Sequence, residues 1–143
     1  MNYNVRIAIF LILVVALSAI VSCATYKPYG QKVNWVSFCE LPNYVGDTVF
    51  VTASYSGMEE YWSLWDKDCV GFNVELETTS STISDEHLDS LMNLVRTKYY
   101  QYYLKLDIRG VFSNEDEFYG HLGTNTGVFK ALGFGRVKLK RVR

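Results

Sequence analysis

The chain has 143 residues with 14 basic and 15 acidic side chains, which gives a formal net charge of −1. A chain of this length favours a single domain with a modest hydrophobic core. The near-neutral balance argues against a nucleic-acid partner, because proteins that bind nucleic acids usually carry a strong basic excess.

The N-terminal segment carries the most specific signal in the chain. Residues 7–21 follow Arg6 as an uncharged apolar run of 15 residues. This length suits the apolar core of a signal peptide and falls short of the roughly 20 residues that a membrane-spanning helix needs. The run ends in Ile20-Val21-Ser22-Cys23, which resembles the lipobox of bacterial lipoproteins.

That resemblance implies that residues 1–22 are a signal peptide that is removed, and that acylated Cys23 then anchors the protein in a membrane. It places the protein in the cell envelope. Ala24 follows the cysteine where an aspartate would favour retention in the inner membrane. We therefore expect the outer membrane, with the domain on its periplasmic face. An uncleaved anchor helix is the alternative.

Two further cysteines, Cys39 and Cys69, remain in the exported part of the chain. In an oxidising compartment such a pair most simply forms one disulfide. Closing the loop between them would stabilise the fold by roughly 3–4 kcal/mol. Two free buried thiols are the alternative. A Cys–His metal site would need more ligands than the sequence offers, so no metal or other cofactor is predicted.

The first half of the domain is predicted to be β-structure. Residues 23–35 contain Pro28 and Gly30 without an apolar period, which is typical of a tether. Three segments then alternate between apolar and polar residues, at 48–55, 60–66 and 70–77. The side chains expected to face the core are Val49, Val51, Ala53, Tyr55, Trp62, Leu64, Phe72, Val74 and Leu76. Tyr61, Ser63 and Trp65 are expected to face outward.

The period then changes to that of a helix, predicted for residues 85–100. Ser84 is a suitable N-cap, and Asp85 and Glu86 lie at the positive end of the helix dipole. The expected apolar face is Leu88, Leu91, Met92, Val95 and Tyr99. Two strands follow, at 104–112 and 133–142, separated by a polar, glycine-rich loop at 114–127. In the last strand Val137 and Leu139 are expected to face inward, opposite Lys138 and Lys140.

The predicted order is therefore three strands, a helix and two strands, which is a mainly β domain of the α+β class over residues 36–143. The domain resembles the OB-type domains of small bacterial envelope proteins. The motifs that carry this resemblance are 41–46 (LPNYVG), 110–112 (GVF) and 119–123 (YGHLG). The resemblance implies a five-stranded, partly open barrel with the order β-β-β-α-β-β and the helix at one end.

The charges are unevenly distributed along the domain. Residues 59–77 hold six acidic side chains and one base, whereas residues 130–143 hold six bases and no acid. Either the two segments lie side by side and neutralise each other, or the basic segment forms a patch for an anionic partner.

Few residues suggest chemistry. His121 follows Glu115, Asp116 and Glu117, a combination that could hold a metal or form a general-base pair. The simpler interpretation is a histidine that closes a turn by hydrogen bonding a backbone carbonyl, between two glycines that permit unusual dihedral angles. No catalytic residue is predicted.

The exposed aromatic residues suggest binding instead, because Tyr61 and Trp65 could stack on bases or sugars. The competing interpretation is that aromatic side chains, including Tyr99, Tyr100, Tyr102 and Tyr103, fill the core and the helix seam.

Three functional hypotheses follow. The first is a non-enzymatic binding module anchored by lipid, whose partner is an envelope protein, a glycan or a peptidoglycan fragment. Its contact face would comprise Tyr61, Trp65, Arg109, Lys138 and Lys140, with His121 as a further ligand-binding candidate. The second is a small metal-assisted hydrolase centred on His121 with Glu115 and Glu117. The third is a purely structural envelope lipoprotein.

Overall fold

The computed structural model describes residues 34–79, 86–116 and 118–142. The predicted signal peptide, Cys23, residues 24–33 of the tether, the N-cap Ser84, Asp85 and Glu117 lie outside the described residues. In the described part of the chain, no helix has the length and apolar character needed to cross a membrane.

The described chain is built mainly of strands. It contains six strands, one α-helix, and two 3-10 helices at Phe38–Tyr44 and His121–Gly123. The strands and the α-helix, in chain order, are β1 (Asn34–Trp35), β2 (Thr48–Met58), β3 (Tyr61–Trp65), β4 (Glu75–Glu77), α1 (Glu86–Thr97), β5 (Tyr102–Ser113) and β6 (Val128–Arg141). The prediction of a mainly β protein of the α+β class is confirmed.

The sheet is organised around β2, which pairs antiparallel with β3 at its C-terminal end and with β5 along its other edge. β5 pairs antiparallel with β6, and β6 runs parallel to β4. Within the described residues, a single bridge joins β3 to the residue that precedes β4: Leu64 and Val74 exchange backbone hydrogen bonds of 2.7 and 2.9 Å. The sheet is therefore partly open at this point.

Several element boundaries differ from those predicted. Asn34 and Trp35, predicted as the end of the tether, form β1 and pair parallel with β2. Four strands therefore precede α1 instead of three.

The predicted strand at 70–77 is reduced to β4, because the chain first turns through Gly71, at φ +86°. This turn leaves Val70 96% exposed.

The last strand, β6, begins five residues earlier than predicted. Val128 and Phe129 are buried and pair with Ser113 and Phe112 of β5. Two register shifts in the β5–β6 ladder disturb the alternation of buried and exposed side chains, which hides the start of this strand in the sequence.

The core lies between the inner face of the sheet and α1. The four side chains of β2 that were predicted to face inward are all buried, namely Val49, Val51, Ala53 and Tyr55. Leu104, Leu106 and Ile108 of β5 and Leu88, Met92 and Val95 of α1 are buried as well. Val137 packs against this core, but Leu139 is 36% exposed because it lies near the end of β6.

Helix α1 ends three residues earlier than predicted. The backbone N–H groups of Gln101 and Tyr102 both donate to the Lys98 carbonyl, at 2.9 and 3.1 Å, which turns the chain into β5. Tyr99 consequently leaves the helix face and is half-buried at the surface, where its ring meets the edge of Tyr100.

A disulfide joins Cys39 to Cys69, whose Cα atoms are 5.5 Å apart. Cys39 belongs to the first 3-10 helix, and Cys69 lies in the turn after β3. Beside the bridge, the rings of Phe38 and Phe72 pack with centroids 5.3 Å apart. The cross-link therefore fastens the segment before β2 to the segment after β3.

Candidate ligand-binding groove

A groove of about 870 Å³ on the outer side of the sheet brings aromatic and basic side chains together. We call it the aromatic groove. It is lined by Tyr61, Trp65, Tyr99, Tyr103, Lys140 and Arg141, with Ser56, Gly57, Met58 and Val142 as further lining residues. Three of the residues that sequence reasoning assigned to a contact face, Tyr61, Trp65 and Lys140, thus meet at one place.

Strand alternation and register explain this meeting. Leu64 of β3 is fully buried, so Tyr61 and Trp65 lie toward the outer side of that strand. Tyr103 precedes the buried Leu104 on β5 and is paired in register with Lys140 of β6. On β3, β5 and β6, the side chains that point away from the core therefore lie on the same outer face of the sheet.

The Trp65 ring is held in a defined orientation. Its indole Nε1 donates a 2.7 Å hydrogen bond to the Ser56 hydroxyl on the neighbouring strand β2. The ring also packs against Tyr103, with centroids 5.9 Å apart and an angle of 44° between the ring planes. Because the indole N–H already has a partner, Trp65 presents its ring surface to the groove.

A smaller hollow of about 270 Å³ extends the aromatic groove. It shares Trp65, Tyr103 and Lys140 with the groove, and Ser54, Lys67 and Lys105 complete its lining. The two hollows together form an elongated surface feature along the outer face of β3, β5 and β6.

Asp66 neutralises one base of the smaller hollow, because its carboxylate lies 2.9 Å from Lys105 Nζ. Burial alone raises the pKa of Asp66. The hydrogen bond and charge of Lys105, the Asp68 backbone N–H and the charge of Lys67 outweigh this effect and hold the pKa below its ordinary value.

Two bases of the C-terminal segment, at positions 130 and 136, are paired with carboxylates. Lys130 lies 3.8 Å from Glu77, and this is the one ion pair between the acidic and basic segments in the described chain. Arg136 Nε lies 3.1 Å from the buried carboxylate of Asp107, which also accepts a 2.7 Å hydrogen bond from the Thr52 hydroxyl.

The remaining bases form a cationic surface. Among the residues that the structure describes, Lys138, Lys140 and Arg141 have no ion-pair partner. Lys138 is exposed and lies two positions before Lys140, so both occupy the same face of β6. The two segments of opposite charge are thus only partly in contact. Lys140 and Arg141 beside the aromatic groove form no ion pair in the described chain, and the Arg141 guanidinium lies over the Tyr102 ring, 6.0 Å from its centroid.

Arg109 does not join this site. It is exposed on β5, where it is paired in register with Phe50 and Gly133. Six residues separate it from Tyr103 along the strand, a distance of about 20 Å. Arg109 does not line the aromatic groove, and its place in a wider contact face stays a prediction.

His121 lies beside the groove without lining it. Its Nδ1 is 3.0 Å from a Glu60 carboxylate oxygen, and its ring meets the Tyr61 ring edge-on at 4.9 Å. It lines a separate hollow of about 380 Å³ together with Glu75 and Arg96. His121 thus contacts a groove residue, Tyr61, without lining the groove itself.

The surroundings of His121 match the turn interpretation of the sequence in part. Gly120 and Gly123 adopt positive φ angles of 69° and 70°, and the His121 carbonyl accepts a 3.0 Å hydrogen bond from the Thr124 hydroxyl. The carboxylate that contacts the imidazole is that of Glu60, not that of Glu115. No set of three potential metal ligands comes together among the described residues.

Sequence reasoning missed Tyr99, Tyr103, Arg141 and Met58 as groove residues. For Tyr103 a signal existed, because it is in phase with the outward-facing Lys105 and out of phase with Leu104. Tyr99 gave no such signal, since its position depends on where α1 ends.

Comparison with protein-family models, curated proteins and solved structures finds no match to this chain.

Proposed function

We propose that this protein is a lipid-anchored binding module of the bacterial cell envelope, without catalytic activity, whose OB-like barrel presents the aromatic groove to a ligand. The observation that carries the proposal is the convergence of Tyr61, Trp65 and Tyr103 with Lys140 from three strands. Aromatic faces beside unpaired bases are suited to holding a ligand by stacking and charge.

The strand pairings support an OB-like barrel. β2 pairs with β3 and β5, β5 with β6, and β6 runs parallel to β4, while the Leu64–Val74 bridge links β4 back to β3. This circuit of five strands, with α1 between β4 and β5, is the arrangement expected of a partly open OB-like barrel. β1 is an addition at its edge.

The anchoring part of the proposal rests on the sequence of residues 6–23. We expect the mature chain to begin at acylated Cys23 and to be attached at the periplasmic face of the outer membrane. The intact mass of protein extracted from membranes tests this. A mass equal to residues 23–143 plus the acyl groups supports it, and a mass that includes residues 1–22 contradicts it. A Cys23→Ser variant should lose the added mass.

The groove is tested by photo-crosslinking in intact cells. A photoreactive phenylalanine analogue replaces Tyr103 in the groove or, as a control, Val70, which is 96% exposed in a turn outside it. We expect the analogue at position 103 to give a crosslinked product that the analogue at position 70 does not give. Adding the Trp65→Ala substitution to the position-103 protein should abolish that product. Identical products from both positions, or a product that survives Trp65→Ala, contradict a binding role for the groove.

A further inference from the structure

We propose that the aromatic groove binds a chain of acidic sugars. This inference rests on the proposed binding function and specifies its ligand. Three properties of the groove lead to it: the sign of its charges, the orientation of its rings, and the pairing of the backbone around it.

The charges that line the groove are positive. Lys140 and Arg141 are its charged lining residues, and no carboxylate belongs to the described lining of the groove or of the hollow that extends it. The whole chain is close to neutral, with a net charge of −1, so this concentration of bases is local. A local positive surface within a near-neutral protein favours an anionic ligand.

The rings offer flat apolar surfaces with polar rims. The Ser56 hydroxyl holds the Trp65 indole at 2.7 Å, and Tyr103 packs against the same indole. The hydroxyls of Tyr61, Tyr99 and Tyr103 are not engaged by one another or by any other group in the described chain. A sugar ring matches this pattern, because its C–H faces are apolar and its edge carries hydroxyl groups.

The backbone around the groove is already paired. Gly57 and Met58 are in register with Trp62 and Tyr61, and Tyr103 with Lys140. Within the described residues β4 pairs with β6 only at 128–130, so the other edge of β6 is open beside Lys140. The groove lies on the face of the sheet, where a ligand meets the side chains of Tyr103 and Lys140 and not this edge. Recognition falls to side chains, which favours a ligand made of charged rings over an acidic peptide.

A defined uronic acid chain tests the proposal. The probe is tetragalacturonate, and its fully methyl-esterified form provides a ligand of the same length without charge. Titration calorimetry on the full-length protein in detergent should show binding of the acid. We expect the ester to bind at least about tenfold more weakly, because the charged contacts are lost. The affinity for the acid should also fall as salt is raised.

Variants locate the site. Lys140→Ala combined with Arg141→Ala should weaken binding of the acid by about tenfold or more, because two charged contacts are removed. Trp65→Ala should also weaken it, whereas Trp65→Phe, which keeps a ring, should retain more affinity. Arg109→Ala is the matched control, since it removes an exposed base outside the groove and should leave binding unchanged. The thermal midpoint of each variant checks that the fold is intact.

Several outcomes overturn the inference. Equal binding of acid and ester would indicate a neutral glycan. Tighter binding of polyglutamate or of oligo(dT), lost on Trp65→Ala, would indicate an acidic peptide or a single-stranded nucleic acid. In each of these cases the groove would still be a binding site. Absence of binding by tetragalacturonate also overturns the inference, and the crosslinking at position 103 then decides separately whether the groove binds anything.

Discussion

Lys105 Nζ lies 2.9 Å from a carboxylate oxygen of Asp66, so that a base on β5 is paired with the acid that directly follows β3. The pair lies at the end of the groove surface where Trp65 and Tyr103 also meet. It therefore helps to hold two strands that carry groove residues in their observed positions.

This pair predicts how stability depends on pH. Because folding lowers the pKa of Asp66 below its ordinary value of 3.8, its stabilising contribution is fully present above that value. The contribution is lost as the pH falls through the lower pKa of the folded state. We expect Asp66→Asn to be less stable than the wild type near neutral pH by up to about 1 kcal/mol.

Urea denaturation of both proteins, from about pH 7 to about pH 2, measures this difference. The two stability curves should converge at the acid end. A gap that stays constant over the whole range contradicts the assignment to Asp66.

The Cys39–Cys69 disulfide predicts a large effect of reduction. The bond closes a loop with a sequence separation of 30, for which the chain-entropy model gives about 3–4 kcal/mol. Reduced protein, or a variant with both cysteines replaced by alanine, should lose this amount of unfolding free energy. Mass spectrometry after thiol alkylation provides the control, because both thiols should react only after reduction.

Gly110 on β5 predicts a packing defect on substitution. A Cβ at this position would overlap the backbone carbonyl of Lys130 and the ring of Phe129. Gly110→Ala should therefore destabilise the protein by about 1–3 kcal/mol. Gly133→Ala is the matched control, because a Cβ there meets no atom within 4 Å. If both variants unfold at the same denaturant concentration as the wild type, β5 and β6 are not packed as described.

The buried contacts of Asp107 predict that two substitutions of this residue lower the unfolding free energy by different amounts. Asp107→Ala removes the acceptor for Thr52 and the partner of Arg136, and should cost about 1–3 kcal/mol. Asp107→Asn keeps an oxygen that can accept from the Thr52 hydroxyl and should cost less. Chemical denaturation of both variants measures the order. Equal losses in the two variants would show that the ion pair with Arg136, which both variants lack, dominates instead.

The core-facing side chains of the central strands could be predicted from the alternation of apolar and polar residues in the sequence. Val49, Val51 and Ala53 of β2 and Leu104 and Leu106 of β5 follow a strict period of two, because each strand buries one face. The start of β6 could not be predicted in this way, since its pairing with β5 contains two register shifts. There the sequence period no longer reports which face is buried.

The candidate site could be predicted only in part. Tyr61 and Trp65 lie opposite a clear core face on β3, so their outward direction follows from their own strand. Their meeting with Tyr103 and Lys140 depends on long-range pairing between β2, β3, β5 and β6, which no local pattern in the sequence contains. Arg109 shows the converse: it shares the outward side of β5 with Tyr103, yet the two positions lie about 20 Å apart along the strand.

The disulfide also decides how the domain would respond to a mechanical load. When its two ends are pulled apart, tension passes from Cys39 directly to Cys69 through a covalent bond. β2 and β3 lie between these cysteines, so this segment of the chain carries none of the load. About 100 Å of chain is thereby withheld from extension. Tyr61 and Trp65 belong to the shielded segment, whereas Tyr103 and Lys140 do not, so force would separate the two sides of the groove before it could unravel β3.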